Sequence, residues 1–168
     1  MRSLWFLFVL LFFGSNLAFG QKITKNEVDK FTKATVIETS PVKMFNQFAM
    51  IRPYMLKCFI RKYNDEYVMP ATLMFDGMNV YKFTEDDGIY LLLENGESIF
   101  LQTTYTGLTD KGVFSTVYNL SSENLALLRA NKVVAIRMTY MGGSYDHDVN
   151  EKNQGKIMEL LKLVDSVK

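Results

Sequence analysis

The stretch SYDHD, Ser144 to Asp148, gathers residue types that often do chemistry: a hydroxyl, two carboxylates and His147, the only histidine of the chain. Asp146, His147 and Asp148 are metal-ligand types. Consecutive residues of an extended chain point to opposite sides, however, so three in a row do not grip one ion. Zinc would want further His or Cys ligands, and the chain holds one Cys and no second His. Calcium would use the carboxylates, but the DxDxDG-type spacing is missing. GGSYD (142–146) approaches the nucleophile elbow G-x-S-x-G, with Asp146 where the last Gly belongs. His147 lies three residues from Ser144, too near along the chain to be its base in that architecture. A structural role fits better. Asp148 precedes Glu151 by three residues, an acidic version of the capping-box spacing ahead of a helix. Gly142 and Gly143 let the chain turn, and His147 is then a polar loop residue. No catalytic, cofactor-binding or metal-ligating residue is assigned, and no cofactor is expected.

The remaining candidates also favour structural roles. Cys58 stands in YMLKCFI, where Leu56, Cys58 and Ile60 fall on one side of a strand, so burial as a small hydrophobe is expected. The carboxylate groups Asp65-Glu66 and Glu85-Asp86-Asp87 sit in turn-like segments, as solvated charges. Met138 and Met141 make one M-x-x-M, a soft-ligand pattern that suits copper. The other methionines are dispersed along strands, as core filling requires. Phosphate-binding glycine loops are absent from the sequence.

The first twenty residues carry a separate message. Arg2 gives a positive start, Leu4 to Phe13 is an unbroken apolar run, and Ala18-Phe19-Gly20 offers a small-x-small end. That is the pattern of a secretory signal peptide, residues 1–20, with cleavage near Gly20. The apolar run is shorter than the about 20 residues a bilayer span needs, so no stable membrane anchor is expected after cleavage. Removing Arg2 leaves 18 basic against 18 acidic residues. A neutral balance without a basic run argues against nucleic acid, whose phosphates demand clustered Lys and Arg. It equally gives no electrostatic reason to bind an anionic membrane. The mature chain, 21–168, has the length of a single domain.

The elements follow from period and punctuation. Residues 21–34 read as a polar arm. ATVIETS (34–40) is a strand stopped by Pro41, and MFNQFAMI (44–51) fits either a helical turn or a loop. Strands are expected at 54–63 and 67–75, with Pro70 placing the second at an edge or a bulge. DGMN (76–79) and TEDDG (84–88) read as turns around a short strand, 80–83. In IYLLLENGESIFLQTTY (89–105), Asn95-Gly96 is the preferred pair of a two-residue type I′ hairpin. That register puts Leu92 opposite Ile99, Tyr90 opposite Leu101 and Leu91 opposite Phe100. Both faces then carry apolar side chains, one against a helix and the other covered by more of the chain, a partner or a ligand, the first being favoured. Strands at 113–120 and 133–141 flank a helix over 121–132 that Ser121 can cap. Ile157, Leu160, Leu161 and Val164 fall at i, i+3, i+4 and i+7 of a last helix. The expected fold is α+β: an antiparallel sheet of about six to eight strands, with a short helix and a C-terminal amphipathic helix mainly on one face.

Three strings, NEVDKFTKATVIETS, LLLENGESIFLQ and YNLSSENLALLRANKVVAIRM ahead of a terminal helix, resemble small exported proteins of Bacteroidetes-type bacteria. That family is functionally uncharacterised. The resemblance implies export to the periplasm or medium and a single α+β domain, and it supplies no catalytic residue. The function expected is an exported, non-enzymatic binding or interaction module for an unknown protein or small ligand. The alternative is a hydrolase-type enzyme using the 144–148 loop, and the third possibility a metal-binding protein.

Overall fold

In the computed structural model, residues 20–46, 53–75, 86–108, 113–140 and 143–167 are described. Eleven strands form one antiparallel sheet: β1 (Ile23–Val28), β2 (Thr35–Thr39), β3 (Val42–Asn46), β4 (Pro53–Cys58), β5 (Arg61–Tyr63), β6 (Glu66–Phe75), β7 (Gly88–Leu93), β8 (Ser98–Leu108), β9 (Val113–Leu120), β10 (Val133–Tyr140) and β11 (Gly143–Asp148). Helix α1 (Ser122–Ala130) joins β9 to β10. A single turn, α2 (Glu151–Gln154), runs through Gly155 into α3 (Lys156–Asp165). The α+β class is as expected. Among these residues no helix is long and apolar enough to cross a membrane.

The strand count exceeds the six to eight expected, for physical reasons. The polar arm contains β1, a sheet edge that pairs with β2 from Ile23↔Thr39 to Val28↔Thr35. An edge strand needs little apolar content, so it escapes a hydrophobic-pattern search. Residues 42–46 extend as β3, and 143–148 extend as β11 against β10. The strand expected over 54–63 divides into β4 and β5. Both keep one register on β6, with Cys58↔Ala71 before the break and Arg61↔Val68 after it. Opposite the break stands Pro70, which has no N–H to donate. It is not on an edge: β6 is central and pairs with β9 without a break from Tyr67 to Met74. The strand expected at 80–83 and the turn at 76–79 lie outside the described residues.

The order across the sheet is β1-β2-β5-β6-β9-β8-β7-β10-β11, with β3 on β4 and β4 on β6. Along the branch from β3 to β11, a flat sheet would hold the two end strands about 34 Å apart, at ~4.8 Å per step. Instead Phe45 of β3 stacks on His147 of β11, ring centroids 3.9 Å apart and planes 8° from parallel. The sheet is therefore curled until its ends meet. Helix α2 packs on both β3 and β10 beside this seam, and Asn153 Nδ2 donates to the Met44 carbonyl at 3.4 Å.

Inside the curl lies one core. It joins Leu56, Met69, Leu73, Leu91, Leu101 and Ile136 of the sheet to Ile157, Leu160, Leu161 and Val164 of α3, as the helical spacing requires. Leu125 and Leu128 of α1 enter the same core, and Ser121 caps that helix by accepting from the Asn124 amide at 3.1 Å. A polar latch fixes the helices to the sheet. Tyr67 Oη of β6 donates to Asp165 Oδ1 at 2.5 Å. Arg129 of α1 grips the same carboxylate with Nε at 2.8 Å and Nη2 at 3.0 Å. Burial alone would raise the Asp165 pKa; the hydrogen bonds from Arg129 and Tyr67 and the Arg129 charge outweigh it and hold the carboxyl below its ordinary value.

Two measurements check these assignments. Phe45→Ala empties a fully packed site at the seam and should lower the free energy of unfolding in urea by about 3–5 kcal/mol. The depressed Asp165 pKa means its contribution is present above the unfolded-state value near 4 and is lost as pH falls through the lower folded value. Asp165→Asn should therefore cost about 1–2 kcal/mol at neutral pH and show a shallower loss of stability below about pH 4 than the wild type. Parallel acid profiles for the two proteins would contradict the latch.

Candidate functional site

Residues 143–148 form a strand, not a loop, and this decides the fate of each chemical candidate there. Strand residues alternate between faces. His147 and Tyr145 turn inward, His147 being 4% exposed and stacked on Phe45. Ser144, Asp146 and Asp148 turn outward and are exposed. Ser144 and His147 thus lie on opposite faces of one strand, and the hydroxyl and imidazole do not meet. Asp146, His147 and Asp148 likewise fail to converge. Among the described residues no group of three or more His, Cys, Asp or Glu side chains is placed to hold a metal. Asp148 is not a helix cap either: α2 begins after Asn150, which makes no side-chain capping bond. Gly143 opens β11, and Gly142 lies outside the described residues. The helical period starts later than the acidic spacing suggests because β10 keeps pairing as far as Ala135↔Asp148.

Cys58 is buried in the core, and that burial pushes its thiol pKa up to about 12. It is held as an inert thiol, because the thiolate is the reactive form. Met138 is buried as core filling, while Met141 lies outside the described residues. Asn64, with φ 52, makes the turn before Asp65-Glu66. Asp87 differs from the expected solvated turn charge, being 6% exposed, with its carbonyl accepting from the Thr103 amide.

The hairpin of β7 and β8 carries the remaining candidate. Its register differs by one residue from that expected. Leu91 pairs with Ile99, Tyr90 with Phe100 and Ile89 with Leu101. The Gly96 amide donates to the Leu93 carbonyl at 3.0 Å, the Leu93 amide donates to the Glu97 carbonyl at 2.8 Å, and Gly96 has φ +88. This is a three-residue connection with glycine in the left-handed region, the other turn that an Asn-Gly pair serves. A slip of one residue exchanges the partners and sorts the faces. Ile89, Leu91, Leu93, Ile99 and Leu101 enter the core. Tyr90, Leu92 and Phe100 face outward, 39%, 41% and 39% exposed. The second apolar face exists, and among the described residues Tyr90, Leu92 and Phe100 leave it partly open.

Registers place the outward side chains in rows across β8, β7, β10 and β11. One row reads Phe100, Tyr90, Arg137, Asp146; the next reads Ser98, Leu92, Ala135, Asp148. In the first row the two aromatic rings sit 4.6 Å apart. Arg137 binds Asp146 through Nε and Nη2, each at 2.6 Å. The hydrogen bonds between them lower the Asp146 pKa and raise that of Arg137. Gly88 sets the ring position. A Cβ there would meet the Leu101 carbonyl oxygen at 2.3 Å and the Phe100 ring at 2.8 Å. In the second row, small Ser98 and Ala135 leave a groove of about 380 Å³ between Tyr90, Leu92, Arg137 and Asp148. The Arg137–Asp146 pair was not foreseen, because it becomes visible only when 143–148 is recognised as a strand beside β10.

No protein-family model, curated protein or solved structure matches the chain.

The buried thiol gives a direct check. Cys58 should react negligibly with an excess of a thiol-specific reagent in the native protein at pH 8, and fully in urea. Rapid labelling of the native protein would show that the thiol is accessible and return Cys58 to the list of chemical candidates.

Proposed function

We propose that the chain is an exported, non-enzymatic binding module that engages its protein or small-molecule partner through the outer face of β8, β7, β10 and β11. The observation that carries this is the row of Tyr90 and Phe100 beside Leu92, all about two-fifths exposed on one face of the sheet. Large exposed apolar groups that lie together mark interaction surfaces more often than isolated ones do. The adjoining groove falls within the size range of ligand sites, roughly 300–1,000 Å³. Its wall of aromatic and apolar groups with a fixed Arg137–Asp146 pair supplies both contact area and orientation. Export rests on the signal-peptide pattern of residues 1–20 and on the resemblance to small exported bacterial proteins. The neutral charge balance of the mature chain speaks for a partner other than nucleic acid.

A photo-crosslinking residue at Leu92, compared with the same residue at exposed Asn26 on β1, tests the surface in cells. Discrete adducts should form from position 92, should be lost from position 26, and should fall at least about tenfold when Tyr90→Ser and Phe100→Ser are combined. An unchanged adduct pattern in that double variant, with its thermal midpoint preserved, would refute the outer face as the binding surface.

A further inference from the structure

The most exposed large apolar side chain among the described residues is Phe31, at 82%, with Val28 beside it at 61%. Both belong to the tip of the β1–β2 hairpin. A single exposed Phe is ordinary, but this one is held in a defined pose. Asp29 Oδ1 accepts from the Phe31 amide at 2.9 Å and the Thr32 amide at 2.8 Å. The Lys33 amide donates to the Asp29 carbonyl at 2.8 Å, with Lys33 at φ 62. Tyr63 Oη donates to Thr32 Oγ1 at 2.7 Å, bracing the tip against β5. Lys30 Nζ stands 5.0 Å from the centre of the Phe31 ring. The tip thus offers a phenyl ring and an ammonium together, in a conformation already ordered before any contact, which lowers the cost of binding.

The groove on the outer face is complementary to that tip. Asp29, Lys30 and Lys33 give the tip a net charge of +1, and Arg137, Asp146 and Asp148 give the groove –1. Since Arg137 already engages Asp146, Asp148 is the carboxylate left to meet a cation. The apolar floor, Leu92 and Ala135 beside the Tyr90 ring, suits a phenyl group, and about 380 Å³ accommodates it with the stem of one lysine. The tip belongs to β1 and the groove reaches β11, the two ends of the strand order.

We propose that the Phe31 tip of one copy seats in the Tyr90–Leu92 groove of another, with Lys30 or Lys33 facing Asp148, so that the chain associates head to tail. This rests on the outer face being a binding surface and names its occupant. Such a contact uses two different patches, and with the tip on β1 and the groove reaching β11 each copy keeps one of them open for a further copy, so that it propagates to rings or filaments. The contact is small, which puts it among weak, reversible interfaces.

Sedimentation velocity of the processed protein, from about 1 µM to 1 mM, tests the proposal. The wild type should pass beyond dimer as concentration rises, and less so at high salt, where surface charges are screened. Phe31→Ser and Leu92→Gln should each be monomeric. Both positions are exposed, so both variants should keep the wild-type thermal midpoint. An equimolar mixture of the two has one intact tip and one intact groove, and it should form dimers and nothing larger. A wild type that stays monomeric or stops at dimer, association that survives Phe31→Ser, or a mixture that remains monomeric would each overturn the proposal. If that happens while position 92 still forms adducts in cells, the outer face stands as a binding surface and only the occupant named here is wrong. If the adducts are lost as well, both fail.

Discussion

The closure of the sheet depends on the stack of His147 on Phe45. That stack joins the two ends of an eight-strand branch, and a sheet whose ends meet has an inside and an outside. The inside must then be filled, and α3 fills it with one continuous apolar stripe. The outside becomes the surface on which Phe100, Tyr90, Arg137 and Asp146 stand in a row. A flat sheet with one helix on it would leave both end strands open; here the imidazole and phenyl rings exclude water from the seam, and α2 lies beside it. The one histidine of the chain thus lies in the closure, its flat ring stacked on Phe45.

Much of this was legible in the sequence where periodicity is strong. The i, i+3, i+4, i+7 pattern of Ile157, Leu160, Leu161 and Val164 describes the buried stripe of α3. Ser121 caps α1 as its position suggests, and Cys58 is buried as alternation with Leu56 and Ile60 requires. The antiparallel α+β class followed from the same signals. What was not legible has identifiable causes. β1 is an edge, and β11 alternates polar residues outward with Tyr145 and His147 inward, a pattern that hydrophobicity alone reads as a loop. The Asn95-Gly96 pair serves both two- and three-residue hairpins, and the two differ by one residue of register. That one residue decides whether Tyr90 pairs with Leu101 or Phe100, and so whether the outward row of aromatic groups can be seen at all. The candidate surface was therefore visible as an excess of apolar residues but not as a place.

The latch at Asp165 shows how the fold resolves competing electrostatic demands. A carboxylate at the end of α3 is partly withdrawn from water, which by itself disfavours its charge. Three donors from Tyr67 and Arg129 reverse that balance, and the Arg129 guanidinium also lies 5.2 Å from the Tyr67 ring centre. One acidic side chain thereby ties β6, α1 and α3 together at their solvent end, while the apolar stripe ties them within. The two kinds of contact respond to different conditions, acid for the first and denaturant for the second.

The interruption between β4 and β5 has a wider effect than a broken strand. Pro41 separates β2 from β3 on one side of Phe59 and Ile60, and Pro70 faces them from the other. Two neighbouring runs, β2–β3 and β4–β5, are therefore interrupted along one line, a crease that stops at the unbroken β6. A crease of missing backbone bonds lets a sheet fold sharply without tearing. It also leaves amides that need another acceptor, and the buried Thr39 supplies one: its hydroxyl accepts from the Ile60 amide at 3.0 Å, while its own amide donates to the Ile60 carbonyl at 3.0 Å. The sheet is stitched at its fold by a side chain. The strands on the two sides of that stitch share the core and the unbroken ladder of β6 on β9, and the Thr39 hydroxyl completes the pairing where their own ladders stop.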